Sequence, residues 1–342
     1  KKRLLAIALA VCMVLGLMPG LPMLTAQAAG TGHTVAAWDD PLLGSGMPGV
    51  VSGDTIVLPA VTAVDTVLSI PSGITALSVQ GRAAYTNLSI VLSAGHPGLT
   101  LTIQDLNLAA SSTIDLSGAS ASSLLLEGSN TIGSRIVVPE GMTLSINGSG
   151  SLAANAGVGG GHDGSENGGT IVILGGTVTA QGEEGTAGIG GGYGPARGAD
   201  VVIWDGNITA IGGGDGSGDH GGAGIGSGSS TGNPGTVTIH GGTIIAIGGA
   251  RGAGIGSGRA NGAGGSVTIN GGDITTTGGD DGADDNGGAG IGSGASASSG
   301  SEAIHGGIIH AYGGANAAGI GSGSRSGAVA RTITGGTLTA VG

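Results

Sequence analysis

Aliphatic and polar residues alternate with a period of two along most of the chain, and this pattern predicts β-strands. The clearest copies flank a glycine pair, once replaced by Asp-Gly: VILGGTVTA, VIWDGNITA, VTIHGGTIIA, VTINGGDITT, AIHGGIIHA and TITGGTLTA. Successive side chains of a strand point to opposite faces. Val237 and Ile239 are therefore expected to point inward before the glycine turn, and Ile244 and Ala246 after it.

A second motif, AG-aliphatic-G, alternates with the glycine-pair motif and supplies a third short strand in each copy. Aligned on the second glycine of the pair, the two motifs make six copies spaced 29 to 36 residues apart. Three short strands per copy, repeated in parallel, predict an all-β fold, the parallel β-helix solenoid, with coils about 4.8 Å apart. Parallel crossover connections are nearly always right-handed, so a right-handed coil is expected. One internal ladder should contain Ile189, Ile225, Ile255, Ile291 and Ile320.

Composition divides the chain into four regions. Residues 1–29 are predicted to be a secretory signal peptide, because a basic start precedes an apolar run and a small-residue cleavage site. Residues 30–53 are expected to cap the first coil. Residues 54–155 should form irregular coils with leucine inside, and residues 156–342 the glycine-rich repeats. The final repeat stops in its middle, which suggests that the chain is truncated at the C-terminus.

Glycine accounts for 81 of the 342 residues and for 63 of the 192 from residue 151 onward, and a glycine content of about one third also occurs in collagen and in disordered chains. A strict G-X-Y period is absent and there are only 10 prolines, which argues against collagen. Aliphatic residues stand at fixed places among the glycines, which argues against disorder. The only cysteine lies in the signal segment, so no disulfide is expected. Stability must therefore come from burial and repetition.

The chain is acidic, and this charge limits the classes of partner that it is expected to bind. Its net charge is −12, and loss of the signal segment would leave seven arginines and no lysine against 22 acids, about −15. Such a surface argues against nucleic acid and anionic membranes as partners, and no membrane insertion is expected after signal cleavage. It is compatible with divalent cations and with neutral or basic ligands. Secretion or display at the cell surface is the expected location.

Two long acidic loops interrupt the repeats, IGGGDGSGDHGG and TGGDDGADDNGG, and lie two coils apart. Clustered carboxylates between glycine turns can bind calcium through oxygen, although neither loop matches the EF-hand or the nonapeptide repeat. Two solvated loops that keep the protein soluble are the alternative. The candidate metal ligands are Asp215, Asp219, Asp280, Asp281, Asp284 and Asp285.

A column of outward residues stands just before the glycine pairs. The column consists of Leu174, Trp204, His240, Asn270, His305 and Thr334. The indole of Trp204 is expected to face solvent. An exposed aromatic face packs well on a sugar, so the four column residues from Trp204 to His305 are candidate carbohydrate-binding residues. The alternative is that a neighbouring loop covers the indole.

Catalysis has little support in the sequence. Glu302 and Arg331 take inward positions that valine holds in other copies, and because they lie on adjacent coils they are expected to pair with each other. No paired-carboxylate motif stands out, lysine is absent after the signal segment, and the arginines are scattered. No catalytic residue is therefore assigned.

The run LLLEGSNTIGSRIVVPEGMTLSINGSGSLAANAGVGGG and the repeated GAGIGSG resemble the glycine-rich repeats of secreted proteins from Gram-positive anaerobes. Those proteins are commonly labelled carbohydrate-binding or cell-surface β-helix proteins. The resemblance implies a β-helix that binds a polysaccharide or surface glycan, or mediates adhesion, without catalysis. A polysaccharide lyase or hydrolase of the pectate-lyase-like fold is the second hypothesis, and a structural stalk is the third.

Overall fold

The computed structural model describes residues 34–36, 52–58, 63–162, 166–214, 220–230, 233–259, 264–282, 286–298 and 300–342. All pairings between strands in these ranges are parallel, and no helix occurs in them. The protein is a parallel β-helix, which confirms the fold predicted from the sequence. Among the described residues there is no helix long and apolar enough to cross a membrane. The predicted signal peptide and most of the predicted cap lie outside the described residues.

The first and second sheets run the length of the solenoid. The first has twelve strands in the described residues: Thr34–Ala36, Thr55–Val57, Ala76–Gln80, Thr100–Gln104, Ala121–Glu127, Thr143–Gly148, Thr170–Ile173, Asp200–Ile203, Thr236–Ile239, Ser266–Ile269, Ser301–Ile304 and Ala330–Ile333. The second has eleven in order: Ala63–Ile70, Ala84–Leu92, Asn107–Leu108, Ser129–Ile132, Ser151–Ala154, Thr177–Gln181, Asn207–Ile211, Thr243–Ile247, Asp273–Thr277, Ile308–Tyr312 and Thr337–Val341. Thr113–Asp115 pairs beside Ala84–Leu92.

The third sheet is made of two-residue strands and begins part of the way along. Its strands within the described ranges are Ile136–Val137, Val158–Gly159, Ile189–Gly190, Ile225–Gly226, Ile255–Gly256, Ile291–Gly292 and Ile320–Gly321. The five isoleucines predicted to stack are in register and buried. Val158 and Ile136 extend this ladder toward the N-terminus. The third wall of the coil, which this sheet forms, therefore starts one coil before the first AG-aliphatic-G motif.

One ladder of the first sheet joins the irregular coils to the regular repeats. Leu77, Leu101 and Leu124 stack on Ile146, and the same column continues through Ile173 into the repeats. All five side chains are buried. The two regions that differ in composition therefore share one continuous apolar core, with leucine in its first part and isoleucine in the second.

The serine of AGIGSG satisfies buried backbone groups. Ser227 Oγ accepts a hydrogen bond from Gly258 N at 3.2 Å, and Ser257 Oγ accepts one from Gly294 N at 3.1 Å. Both serines are fully buried. A buried backbone N–H without a partner is costly, so the repeated serine stabilises a turn where strand pairing ends.

Candidate functional site

The predicted column lies at the corner between the first and second sheets. We call it the corner column: Leu174, Trp204, His240, Asn270, His305 and Thr334. Each residue follows the last residue of a first-sheet strand, and its backbone N–H donates to the preceding coil. The backbone N–H groups of the four candidate carbohydrate-binding residues donate to the carbonyl oxygens of Ile173, Ile203, Ile239 and Ile269 at 2.7 to 2.8 Å. The backbone therefore brings all four candidate residues onto one line along the solenoid axis.

The rings of Trp204 and His240 stack on each other. Their centroids are 3.9 Å apart and their planes differ by 10°. Both side chains are half-buried. Since coils rise by about 4.8 Å, parallel rings on adjacent coils meet face to face. His240 therefore covers one face of the indole.

Hydrogen bonds extend this arrangement along the corner column. Asn270 Nδ2 donates to His240 Nδ1 at 3.3 Å, which leaves the proton of the neutral imidazole on Nε2. Further along, His305 Nδ1 and Thr334 Oγ1 are 2.8 Å apart. From Trp204 onward the column is thus a series of an indole, two imidazoles, an amide and a hydroxyl, all at the surface.

Partial burial lowers the pKa of His240 below its usual 6.5. The folded protein therefore takes up this proton less readily than the unfolded chain. In the window just below pH 6.5 the unfolded chain binds more protons, so acidification lowers the free energy of unfolding, and the loss ends below the folded pKa.

We expect His240→Gln to reduce this loss of stability. Glutamine keeps a side chain that can pair with Asn270, but it does not titrate. Urea unfolding at pH 7.5 and at pH 5.5 should show a smaller stability difference in the variant than in the wild type. An equal difference in both proteins would mean that His240 does not contribute to the pH dependence.

The acidic loops lie only partly within the described residues. Asp215, Asp219, Asp284 and Asp285 fall outside them. Asp281 is an ion-pair partner of Arg251, whose Nε and terminal nitrogen both lie 2.6 Å from Asp281 Oδ2. Asp280 accepts from Gly282 N at 3.1 Å within its own turn.

No group of three or more His, Cys, Asp or Glu side chains in the described part of the chain could hold a metal ion. The pairing with Arg251 partly neutralises the charge of Asp281, which weakens it as a cation ligand. Calcium binding by these loops therefore stays a prediction.

A buried arginine, which sequence reasoning did not single out, links three coils. Arg135 Nε donates to Gly160 O at 2.5 Å, and its terminal nitrogens donate to Ala156 O at 2.9 Å and Gly191 O at 3.2 Å. A further hydrogen bond, also 3.2 Å long, runs to Thr186 Oγ1. Burial lowers the pKa of Arg135 to about 10, so the guanidinium is charged at neutral pH. Its partners lie 21 to 56 residues away, and its role is structural.

Glu302 and Arg331 form the ion pair predicted from the sequence, with Arg331 Nε 3.0 Å from Glu302 Oε2. They continue the inward column of Val237 and Val267. The Glu302 side chain is only 1% exposed, and its Oε1 has no hydrogen-bond partner. Burial raises the pKa of Glu302, although Arg331 opposes the shift. The pair therefore fills a core position at an energetic cost.

Replacing both residues of the pair with valine should leave the free energy of unfolding unchanged or raise it by about 1–4 kcal/mol. The double variant extends the valine ladder and removes a buried charge. Arg331→Val alone should lower stability by about 2 kcal/mol, a value reduced from the usual cost because Arg331 is 38% exposed. Urea unfolding of both variants tests this. A double variant less stable than the single one would contradict it.

Comparisons with known proteins agree with the architecture. A family model described as a beta helix repeat matches residues 171–193, 237–259 and 303–324. Each match covers one coil with a short loop, and the coils that carry the two long acidic loops are skipped. No curated protein matches the chain, and no solved structure matches it. The similarity thus concerns the repeat itself.

Proposed function

We propose that this β-helix is a secreted or cell-surface module that binds carbohydrate without catalysis, with the corner column as its binding site. The observation that carries the proposal is the stack of Trp204 on His240, continued by the hydrogen bond from Asn270. Sugar hydroxyl groups both donate and accept hydrogen bonds, as imidazole, amide and hydroxyl side chains do. An ordered row of such groups beside a half-buried indole suits that chemistry.

Pre-organisation supports this assignment. The backbone of each column residue is fixed by a bond to the coil before it, and the side chain of His240 contacts those of Trp204 and Asn270. Little side-chain entropy is then lost when a ligand binds, so a few contacts can yield useful affinity. The column runs parallel to the axis, so a glycan chain lying along it would meet one side chain per coil.

Export and surface display rest on the sequence. The predicted signal peptide at residues 1–29 and the resemblance to secreted repeat proteins of Gram-positive anaerobes both favour an extracellular glycan as ligand. Calcium is proposed as a cofactor of the acidic loops. If glycan binding requires this calcium, adding a chelator should abolish the binding.

A glycan screen on the purified chain, with and without calcium, tests the proposal. Trp204→Ala should weaken binding at least tenfold, because truncating a central aromatic at an interface commonly costs about 2 kcal/mol or more. Tyr312→Ala is the matched control, since Tyr312 is an exposed aromatic on the second sheet, away from the corner column. Equal losses in both variants would contradict the assignment of the site.

The same screen separates the other two hypotheses. Release of soluble sugar products from a polysaccharide would show an enzyme in place of a binding module. A folded protein that retains no glycan in either condition would contradict carbohydrate binding and favour a structural stalk.

A further inference from the structure

We propose that the corner column selects uncharged glycans and rejects those that carry carboxylates. This inference rests on the proposed function and adds the substrate class. It follows from the positions of the cationic and anionic side chains around the column.

Most of the arginines are already engaged within the protein. After the signal segment the chain has seven arginines and no lysine. Arg135 is buried among backbone carbonyls. Three others pair with carboxylates at 2.6 to 3.0 Å: Arg197 with Asp200, Arg251 with Asp281, and Arg331 with Glu302.

The other three arginines lie away from the column. Arg82 lies in the turn after the first-sheet strand Ala76–Gln80, five coils before the strand that precedes Trp204 and about 24 Å away along the axis. Arg259 and Arg325 lie in turns that follow third-sheet strands, at a different corner of the coil. A carboxylated sugar on the column therefore finds no guanidinium placed to pair with it.

Carboxylates, by contrast, stand beside the corner column. Asp205 directly follows Trp204 and is exposed, with its Oδ1 accepting from Gly206 N at 2.8 Å. Asp273 is exposed three residues after Asn270, at the start of a second-sheet strand. Both would repel an anionic glycan, and the net charge of the whole chain adds to this repulsion.

Three members of the column offer hydrogen bonds without carrying a charge at pH 7. The amide of Asn270 and the hydroxyl of Thr334 are neutral, and the lowered pKa of His240 keeps that imidazole neutral at pH 7. A carboxylate accepts hydrogen bonds only, whereas a hydroxyl group also donates. A neutral sugar can therefore satisfy groups on the column that a carboxylate would leave unpaired.

The test presents each glycan of the screen in two forms that differ in charge. Neutral glycans are also offered carboxymethylated, with a hydroxyethylated form as the control for added bulk, and uronate glycans are also offered with their carboxyl groups reduced to alcohols. At pH 7 with a chelator present, we expect the uncharged form to bind roughly tenfold more tightly. The difference should shrink as salt is raised, because salt screens exposed charges.

Asp205→Asn and Asp273→Asn sharpen the test, because each removes a charge and keeps the side-chain shape. Together they should strengthen binding of the carboxylated form several-fold and leave the uncharged form unchanged. Equal or tighter binding of the carboxylated form by the wild type would overturn the proposed selectivity and leave glycan binding intact. A folded protein that binds neither form of any glycan, either with calcium or with a chelator, would overturn the proposed function as well.

Discussion

Gly226→Ala is expected to unfold the repeats around it and to lower the free energy of unfolding by about 4 kcal/mol or more. Gly226 has a φ of +135°, a conformation that residues with a side chain rarely adopt. A Cβ at this position would also overlap the carbonyl oxygen of Gly256 on the next coil. Since that oxygen belongs to a paired backbone inside a continuous stack, it cannot move aside without breaking the ladder.

Gly282→Ala is the matched control for this effect. Gly282 also has a positive φ, +68°, but no atom lies within 4 Å of a Cβ built on it. Its alanine variant should therefore show the backbone strain alone, about 1 kcal/mol. Urea unfolding of both variants measures the difference. Similar losses in the two would mean that contact between coils does not require glycine in the third wall.

Arg135→Met is expected to lower the free energy of unfolding by about 3–5 kcal/mol. Methionine fills a similar volume but donates no hydrogen bond, so the buried carbonyls of Ala156 and Gly160 lose a partner, whereas Gly191 O keeps its bond from Ala187 N. Each unsatisfied buried group costs about 1–3 kcal/mol. Because these carbonyls belong to successive coils, the loss should affect the start of the third wall.

Arg82→Met provides the control, because Arg82 is exposed and its backbone N–H, which donates to the Tyr85 hydroxyl, is retained. That variant should stay within about 0.5 kcal/mol of the wild type. Thermal or urea unfolding followed by circular dichroism measures both. An Arg135→Met protein as stable as Arg82→Met would contradict the structural role of Arg135.

The architecture could be predicted because the same alternation of buried and exposed positions recurs in six copies. Alternation with a period of two fixes which side chains face inward, and identical spacing forces Ile225 onto Ile255. Glycine at Gly226 and its equivalents indicates a backbone that turns sharply between coils. The start of the third wall at Ile136 was missed, since that strand precedes the first clear AG-aliphatic-G motif.

Side-chain partners were harder to predict than strands. The repeat register placed Trp204 and His240 on one column, but ring orientation depends on side-chain torsions that spacing does not determine. Glu302 and Arg331 were paired correctly because both occupy a regular inward position. The sequence did not indicate the role of Arg135, because this arginine is not repeated in the other coils and its partners lie on later coils.

The partners of loop residues were also hard to predict from the sequence. Asp281 was predicted as a metal ligand from the local density of carboxylates, but its ion pair with Arg251, 30 residues earlier, was not predicted. Both residues stand in loops outside the strand register, so counting along the chain does not show that they meet. A loop residue acquires its partner through the fold of adjacent coils, which composition cannot indicate.

The most direct test of glycan binding at the corner column uses Trp204 as a reporter. The chain has two tryptophans, so Trp38→Phe leaves Trp204 as the only one. Its emission should change saturably as a bound glycan is titrated, at the concentrations that also give half-maximal retention in the screen. Glycan binding that leaves the emission of Trp204 unchanged at saturation would contradict the account, because the ligand would then lie elsewhere on the solenoid.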